Sequence, residues 1–238
     1  MYKFLVRPKW IGFHLLCVAA IVAMVSLAFW QLRRLDERQA LNDRVAQNST
    51  AAVVSFDEVT LADPDALVYR LVELSGSYLS EPQFEMVNLS QAGTTGSDPV
   101  NALQLADGSL VIINRGFLPA GSEVAPPPRG VVQVTGRLRK SQSGSTDQRV
   151  DDESEVINIR RINVPDLSDQ FQQPVASMYV ELLDSTPSDS SALQPVPLPE
   201  QSSGPHLSYA IQWFIFSVCV AIGWVFAVRK SARERRVT

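Results

Sequence analysis

Histidine and cysteine carry most of the acid–base, nucleophilic and metal-binding chemistry available to a protein near neutral pH. This chain has two of each: His14, His206, Cys17 and Cys219. All four lie in or beside two long apolar runs near the ends of the sequence, and the stretch between those runs contains neither residue type. A Ser/His/Asp or Cys/His catalytic set in that middle stretch is therefore excluded, as are a histidine zinc site, a CxxC pair and a disulfide. Thiol oxidoreductases and thiol-based copper carriers are excluded with them.

His206 stands at the start of the second apolar run. His206, Tyr209, Ala210 and Trp213 follow the i, i+3, i+4, i+7 spacing of one helical face. A metal-binding or haem-facing stripe has this form, with His206 as the iron ligand. An interfacial aromatic belt with a histidine among the headgroups has the same form. His14 sits one turn inside the far end of the first run, roughly 20 Å or more from the membrane level of His206 at 1.5 Å per residue, so the two cannot clamp one iron within a molecule. Arg33 and Arg34 follow the first run directly. They suit bidentate bonds to carboxylates such as haem propionates, or else contact with phospholipid and pairing with Asp36 and Glu37. Arg115, in the string Asn114-Arg115-Gly116-Phe117-Leu118-Pro119 that closes an apolar strand, either reaches a ligand or forms a structural ion pair.

The elements that must position these residues follow from hydropathy and charge. Residues 11–30 and 207–228 carry no formal charge, and each run matches the ~20 residues that cross ~30 Å of hydrocarbon. Arg229, Lys230, Arg233, Arg235 and Arg236 follow the second run, whereas no Lys or Arg lies between Ile162 and Val228. The positive-inside tendency then places residues 229–238 in the cytoplasm, and two spans return the basic residues 1–10 to the same side. A secretory signal ending at Ser26-Leu27-Ala28 competes with the first span, but the apolar run exceeds the ~7–15 residues of a signal core. No Arg/Ser-rich amphipathic presequence opens the chain, which favours a bacterial plasma membrane. Of the 25 acidic side chains, 24 lie between residues 31 and 206, against 13 of the 21 basic ones. An outer domain this acidic argues against nucleic-acid binding.

Residues 31–48 keep helical spacing among charges and predict an extension of the first helix. Residues 49–183 read as an extracytoplasmic α+β domain, with strands at 68–79, 83–88, 100–105, 110–115, 131–138 and 178–183 and a hairpin at Asp107-Gly108. Short helices are expected at 57–61 and 166–171. The fold class is thus a membrane α+β protein, in which two terminal transmembrane helices flank a mainly antiparallel sheet or small barrel. Residues 141–155 are polar and read as unfolded. Residues 184–206, rich in Pro and Ser, read as a semi-extended tether to the second span.

Taken together, FWQLRRL, LVELSGSYL, LVIINRGFLP, VTGRLR and HLSYAIQWF resemble the Surfeit locus protein 1 family, in the same order and over nearly the whole chain. Ala28 stands where the family usually has Gly, and Phe117 replaces the usual Trp after Arg-Gly. The resemblance implies a non-enzymatic assembly factor for haem–copper terminal oxidases that helps place haem a in the catalytic subunit. That subunit, haem a synthase and the lipid bilayer are its implied partners. The tyrosine-proximal histidine of span two, implicated in haem binding by the resemblance, is His206 here. The alternative is an accessory structural subunit of a respiratory complex that binds no haem.

Overall fold

The computed structural model describes residues 3–56, 63–123, 125–150 and 156–237. They form two compact units, Met1–Asp43 with Glu200–Thr238, and Arg44–Pro199.

The first unit is a pair of helices. α1 runs unbroken from Pro8 to Thr50, with Pro8 at its first position, where the missing N–H costs nothing. Its 43 residues span about 65 Å, twice the hydrocarbon thickness. The polar continuation of the apolar run is thus helical, and its last turns, from Arg44, belong to the second unit. α4 covers His206–Val237. Both helices are long and apolar enough to cross a membrane, and only 11% and 6% of their most apolar windows is buried. A core helix of a soluble protein would be mostly covered. Small side chains mark where the two pack: Cys17 and Ala28 on α1, Ala210 and Ser217 on α4 are all buried, as small residues let helices approach closely. Phe29 and Phe214 meet edge to face with centroids 5.8 Å apart.

The second unit is built on strands β1 (Val54–Ser55), β2 (Leu71–Tyr78), β3 (Phe84–Gln91), β4 (Thr94–Leu105), β5 (Leu110–Asn114), β6 (Leu118–Pro119), β7 (Val131–Lys140), β8 (Arg149–Val150), β9 (Ile157–Ile159) and β10 (Met178–Thr186). Two short helices accompany them, α2 (Pro64–Leu67) and α3 (Val164–Ser168). β2 pairs with β7, β7 with β10, β10 with β5, β5 with β4, and β4 again with β2. The five strands therefore close into a small barrel, from which β3, β9 and β8 extend.

Alternation along the strands sorts the side chains into two layers. Val72, Leu74, Val111, Ile113, Val134 and Val180 belong to one buried cluster that fills the barrel. Ala102, Leu110, Ile112 and Tyr179 face outward into a second cluster with Phe84, Met86, Ile159, Ile162 and Leu167. β5 is buried on both faces, which is why its sequence, Leu-Val-Ile-Ile, does not alternate. Each fully buried side chain of this size contributes about 1.5–3 kcal/mol.

The sheet is mainly antiparallel, as expected, but not purely so: β1–β2, β5–β10 and β3–β9 are parallel pairs, which makes it mixed. A period of two reports which face a residue takes and is silent on strand direction, and the long connections between these partners permit parallel neighbours. α3 begins before the expected 166–171 because the Asn163 side chain accepts from Asp166 N–H and Pro165 opens the first turn. The helix expected at 57–61 lies outside the described residues. The polar stretch from Ser141 is not loose up to Val150. Ser141 Oγ accepts from Val164 N–H at 2.9 Å, Thr146 N–H donates to Asp166 at 3.0 Å, and β8 pairs with β9.

Candidate functional site

At one end of the helix pair, His206 Nδ1 lies 2.8 Å from Gln31 Oε1, with both side chains half-buried. A carboxamide oxygen only accepts, so Nδ1 carries the proton and the lone pair of the neutral ring is left on Nε2. That edge of the ring faces Gly204. A Cβ there would lie 3.4 Å from His206 Cδ2 and 3.5 Å from Nε2, and the φ of Gly204 is 63°, a conformation that suits glycine. The chain thus enters α4 through a residue that adds no side chain beside Nε2.

At the other end, Trp224 Nε1–H donates to His14 Nδ1 at 2.7 Å. Indole is a donor only, so His14 must hold its proton on Nε2. The two histidines are in opposite tautomers, about 25 Å apart measured along α1 from His14 to Gln31. His14 also packs against Trp10 and Trp224, with centroids 5.6 and 5.5 Å away.

The stripe expected on one face of α4 divides in two. Ala210 is buried and His206 and Trp213 are half-buried, whereas Tyr209 is 47% exposed on the flank. Trp213 stacks edge to face on Phe216 at 6.0 Å. Arg33 is exposed just beyond Gln31, and Arg34 Nη1 pairs with Glu37 at 2.5 Å on the exposed surface. Sequence reasoning assigned no role to Gln31. Its signal was an amide directly after the end of an apolar run, three residues after Ala28.

Arg115 belongs to the other unit and is an ion-pair residue. Its Nε and Nη2 donate to the two carboxylate oxygens of Asp189 at 2.9 and 2.6 Å, and Nη2 also reaches Ala125 O at 2.9 Å. The side chains are 1% and 8% exposed, so solvent does not weaken the pair. Its neighbours complete the fastening. Asn114 Oδ1 accepts from Gly116 N–H at 2.9 Å. Phe117 exchanges two backbone hydrogen bonds with Gln194, at 2.7 and 2.8 Å. Gly116 has φ 112°, and a Cβ on it would stand 2.6 Å from Gln194 O. Arg137 Nη2 adds a bond to Val196 O at 3.0 Å. The Pro/Ser-rich segment read as a tether is therefore held to the barrel as far as Val196, after β10 itself has run on to Thr186.

A buried polar row crosses the outer barrel face. Asn114 donates to Asp98 at 2.7 Å, and Arg139 to Glu181 at 2.7 Å, with the Arg139 guanidinium 4.8 Å over the Tyr69 ring. Burial pushes the Asp98 carboxyl up to about 6, against the hydrogen bond from Asn114. Burial also raises Glu181, outweighing Arg139 and Arg137. Elsewhere a cleft of about 620 Å³ opens beside Glu73, Asp107, Asp184 and Thr135. Among the described residues no group of three His, Cys, Asp or Glu side chains is placed to hold a metal ion.

A model of the SURF1 family matches residues 18–218. A SURF1-like protein of Mycobacterium tuberculosis (strain ATCC 25618 / H37Rv) is 26% identical over 243 residues, covering 98% of this chain and 88% of the relative. A SURF1-like protein of Rickettsia felis is 18% identical over 223 residues, covering 89% and 95%. One from Dictyostelium discoideum is 27% identical over 114 residues, covering 44% and 42%.

Proposed function

The chain belongs to the SURF1 family, known generally for cytochrome oxidase assembly factors, and from that premise we propose that it helps place haem a in the catalytic subunit of a haem–copper terminal oxidase. In this role it is a carrier and not an enzyme. His206 is the iron ligand through Nε2, a neutral imidazole nitrogen being a good ligand for iron. The bound haem supplies the redox-active iron, and the chain's own groups supply its seat. Tyr209 offers an aromatic flank at the start of α4, and Arg33 and Arg34 are the cations suited to propionates. Haem a synthase and the catalytic subunit are the partners on either side of the transfer. The protein spans a bacterial plasma membrane twice, with both termini in the cytoplasm and the barrel outside, as the cations after residue 228 support.

The observation that carries this reading is the uncommitted Nε2 of His206, beside a residue without a side chain. His14 has its Nδ1 engaged by Trp224, and the buried pair of Arg115 with Asp189 supports the ion-pair alternative for Arg115, so neither is used here. The test is to purify the full-length His206→Ala protein from its native membrane and record its pigment spectrum, together with the haem a content of the oxidase. Both should fall while membrane insertion is unchanged. A His206→Ala protein with a full haem complement would sink the ligand assignment and favour the accessory-subunit role.

A further inference from the structure

We infer that Gln31 is a positioning residue for His206, one that fixes the imidazole proton on Nδ1 and thereby presents Nε2 as the ligand nitrogen. The inference rests on the haem-ligand reading for its purpose, though the tautomer itself stands on the geometry alone. Three observations converge on it. Gln31 Oε1 lies 2.8 Å from Nδ1, and ligating histidines generally donate their second ring N–H to an oxygen that sets the tautomer and raises ligand basicity. Gly204 brings no side chain of its own to the Nε2 edge, where a Cβ would stand 3.5 Å from that nitrogen. The third is the contrast within the same helix pair, where the Trp224 donor imposes the opposite tautomer on His14.

The device joins two segments far apart in sequence. Gln31 lies at the end of the apolar part of α1 and His206 at the first residue of α4. Nε2 is therefore fixed as the ligand nitrogen only once the two helices are paired, and an unpaired α4 would carry a histidine whose proton is free to sit on either nitrogen. Arg34, three residues after Gln31, lies on the adjoining turn of α1, so a propionate and the tautomer-setting amide are served by the same helix.

The chain has only two histidines, so ¹⁵N-labelling them gives two assignable imidazole signals in the full-length protein in detergent, with no haem needed. His206 should show the Nδ1–H pattern and His14 the Nε2–H pattern. Gln31→Leu should shift the His206 signal alone toward the His14 pattern. Two Nε2–H signals in the unmodified protein would overturn the inference, since that is what a Gln31 amide turned with its NH₂ toward the ring produces. With haem as the probe, Gln31→Leu should weaken binding about 10- to 100-fold. Gln31→Glu, which keeps an acceptor, should retain haem and lower its midpoint potential. Loss of haem in His206→Ala alongside an unchanged affinity, spectrum and potential in Gln31→Leu would reject the role of Gln31 and leave His206 as ligand. Full haem retention in both variants would reject the ligand reading and this inference with it.

Discussion

In the barrel, the guanidinium of Arg115 is committed to Asp189, Ala125 and Asn101 and sealed from solvent. In the helix pair, His206 gives one ring nitrogen to Gln31 and keeps the other. The strings around both residues are among those that carry the resemblance to the family, and both combine a cationic or ligating side chain with an aromatic neighbour. Only one is left with chemistry to offer. Asn114-Arg115-Gly116-Phe117 is a fastening whose hydrogen bonds close on the chain itself, whereas the string beginning at His206 ends in an unused lone pair. A string of this kind can thus mark a clasp as readily as a ligand, and counting the bonds each group has left separates the two.

The comparison breaks most visibly at Arg115. Arg115→Ala strands Asp189 as a buried, unpaired carboxylate, which costs about 3–5 kcal/mol. Chemical denaturation of the full-length protein should show that loss, and hydrogen exchange should show faster exchange at Gln194, whose N–H bonds to Phe117 O. On the proposed carrier role, protein that remains folded should still bind haem. Haem loss with unchanged stability would mean that the fastening is itself a ligand site.

A smaller effect, of opposite sign, is expected at Asp98. Its folded pKa of about 6 lies above the ordinary carboxylate value of 3.8, so the native state holds the proton more tightly than the unfolded chain. The stability this provides is fully present below pH ~4, declines as pH rises through ~6, and is absent above that. Asp98→Asn keeps an oxygen to accept from Asn114 and removes the buried charge. It should stabilise the protein at pH 7 by about 1–3 kcal/mol and flatten the decline between pH 4 and 6. An unchanged slope in that window would place the titration elsewhere, with Glu181 the first candidate because burial raises it too.

Much of the fold was legible because its signals are local. An uncharged run of about twenty residues has few alternatives to a span, and Val72, Leu74, Val132 and Val134 alternate with polar neighbours as strands do. Asp107-Gly108 joins β4 to β5 by a turn in which Asp107 Oδ1 accepts from Ser109. The rest depends on partners distant in sequence. β4 begins at Thr94, ahead of the expected 100, because the polar Thr94–Asp98 stretch is recruited by β3 and β6. The pairing of Arg115 with Asp189 and of Phe117 with Gln194 crosses more than seventy residues, and no composition signal separates a fastened Pro/Ser-rich segment from a free one. Of the candidate site, His206 could be singled out by type and place, while Gln31 needed the second helix to reveal what its amide touches.

The smallest effect tests the other histidine. Trp224→Phe keeps an aromatic ring against His14 and removes only the N–H that donates to Nδ1. Hydrogen bonds between helices within a bilayer are worth about 0.6 kcal/mol on average, because the separated helices also find partners. A stability change of about that size, near the limit of detection, is therefore expected for the helix pair. The tautomer of His14 should respond more clearly than the stability, since its ring no longer has a donor facing Nδ1 and the proton can occupy either nitrogen. His206, about 25 Å away along α1, should keep both its Nδ1–H signal and its haem. A change at His206 would mean that the two ends of the pair are coupled through the packing of Ala28, Ala210 and Ser217, and the ligand end could then no longer be treated as independent of the Trp224 end.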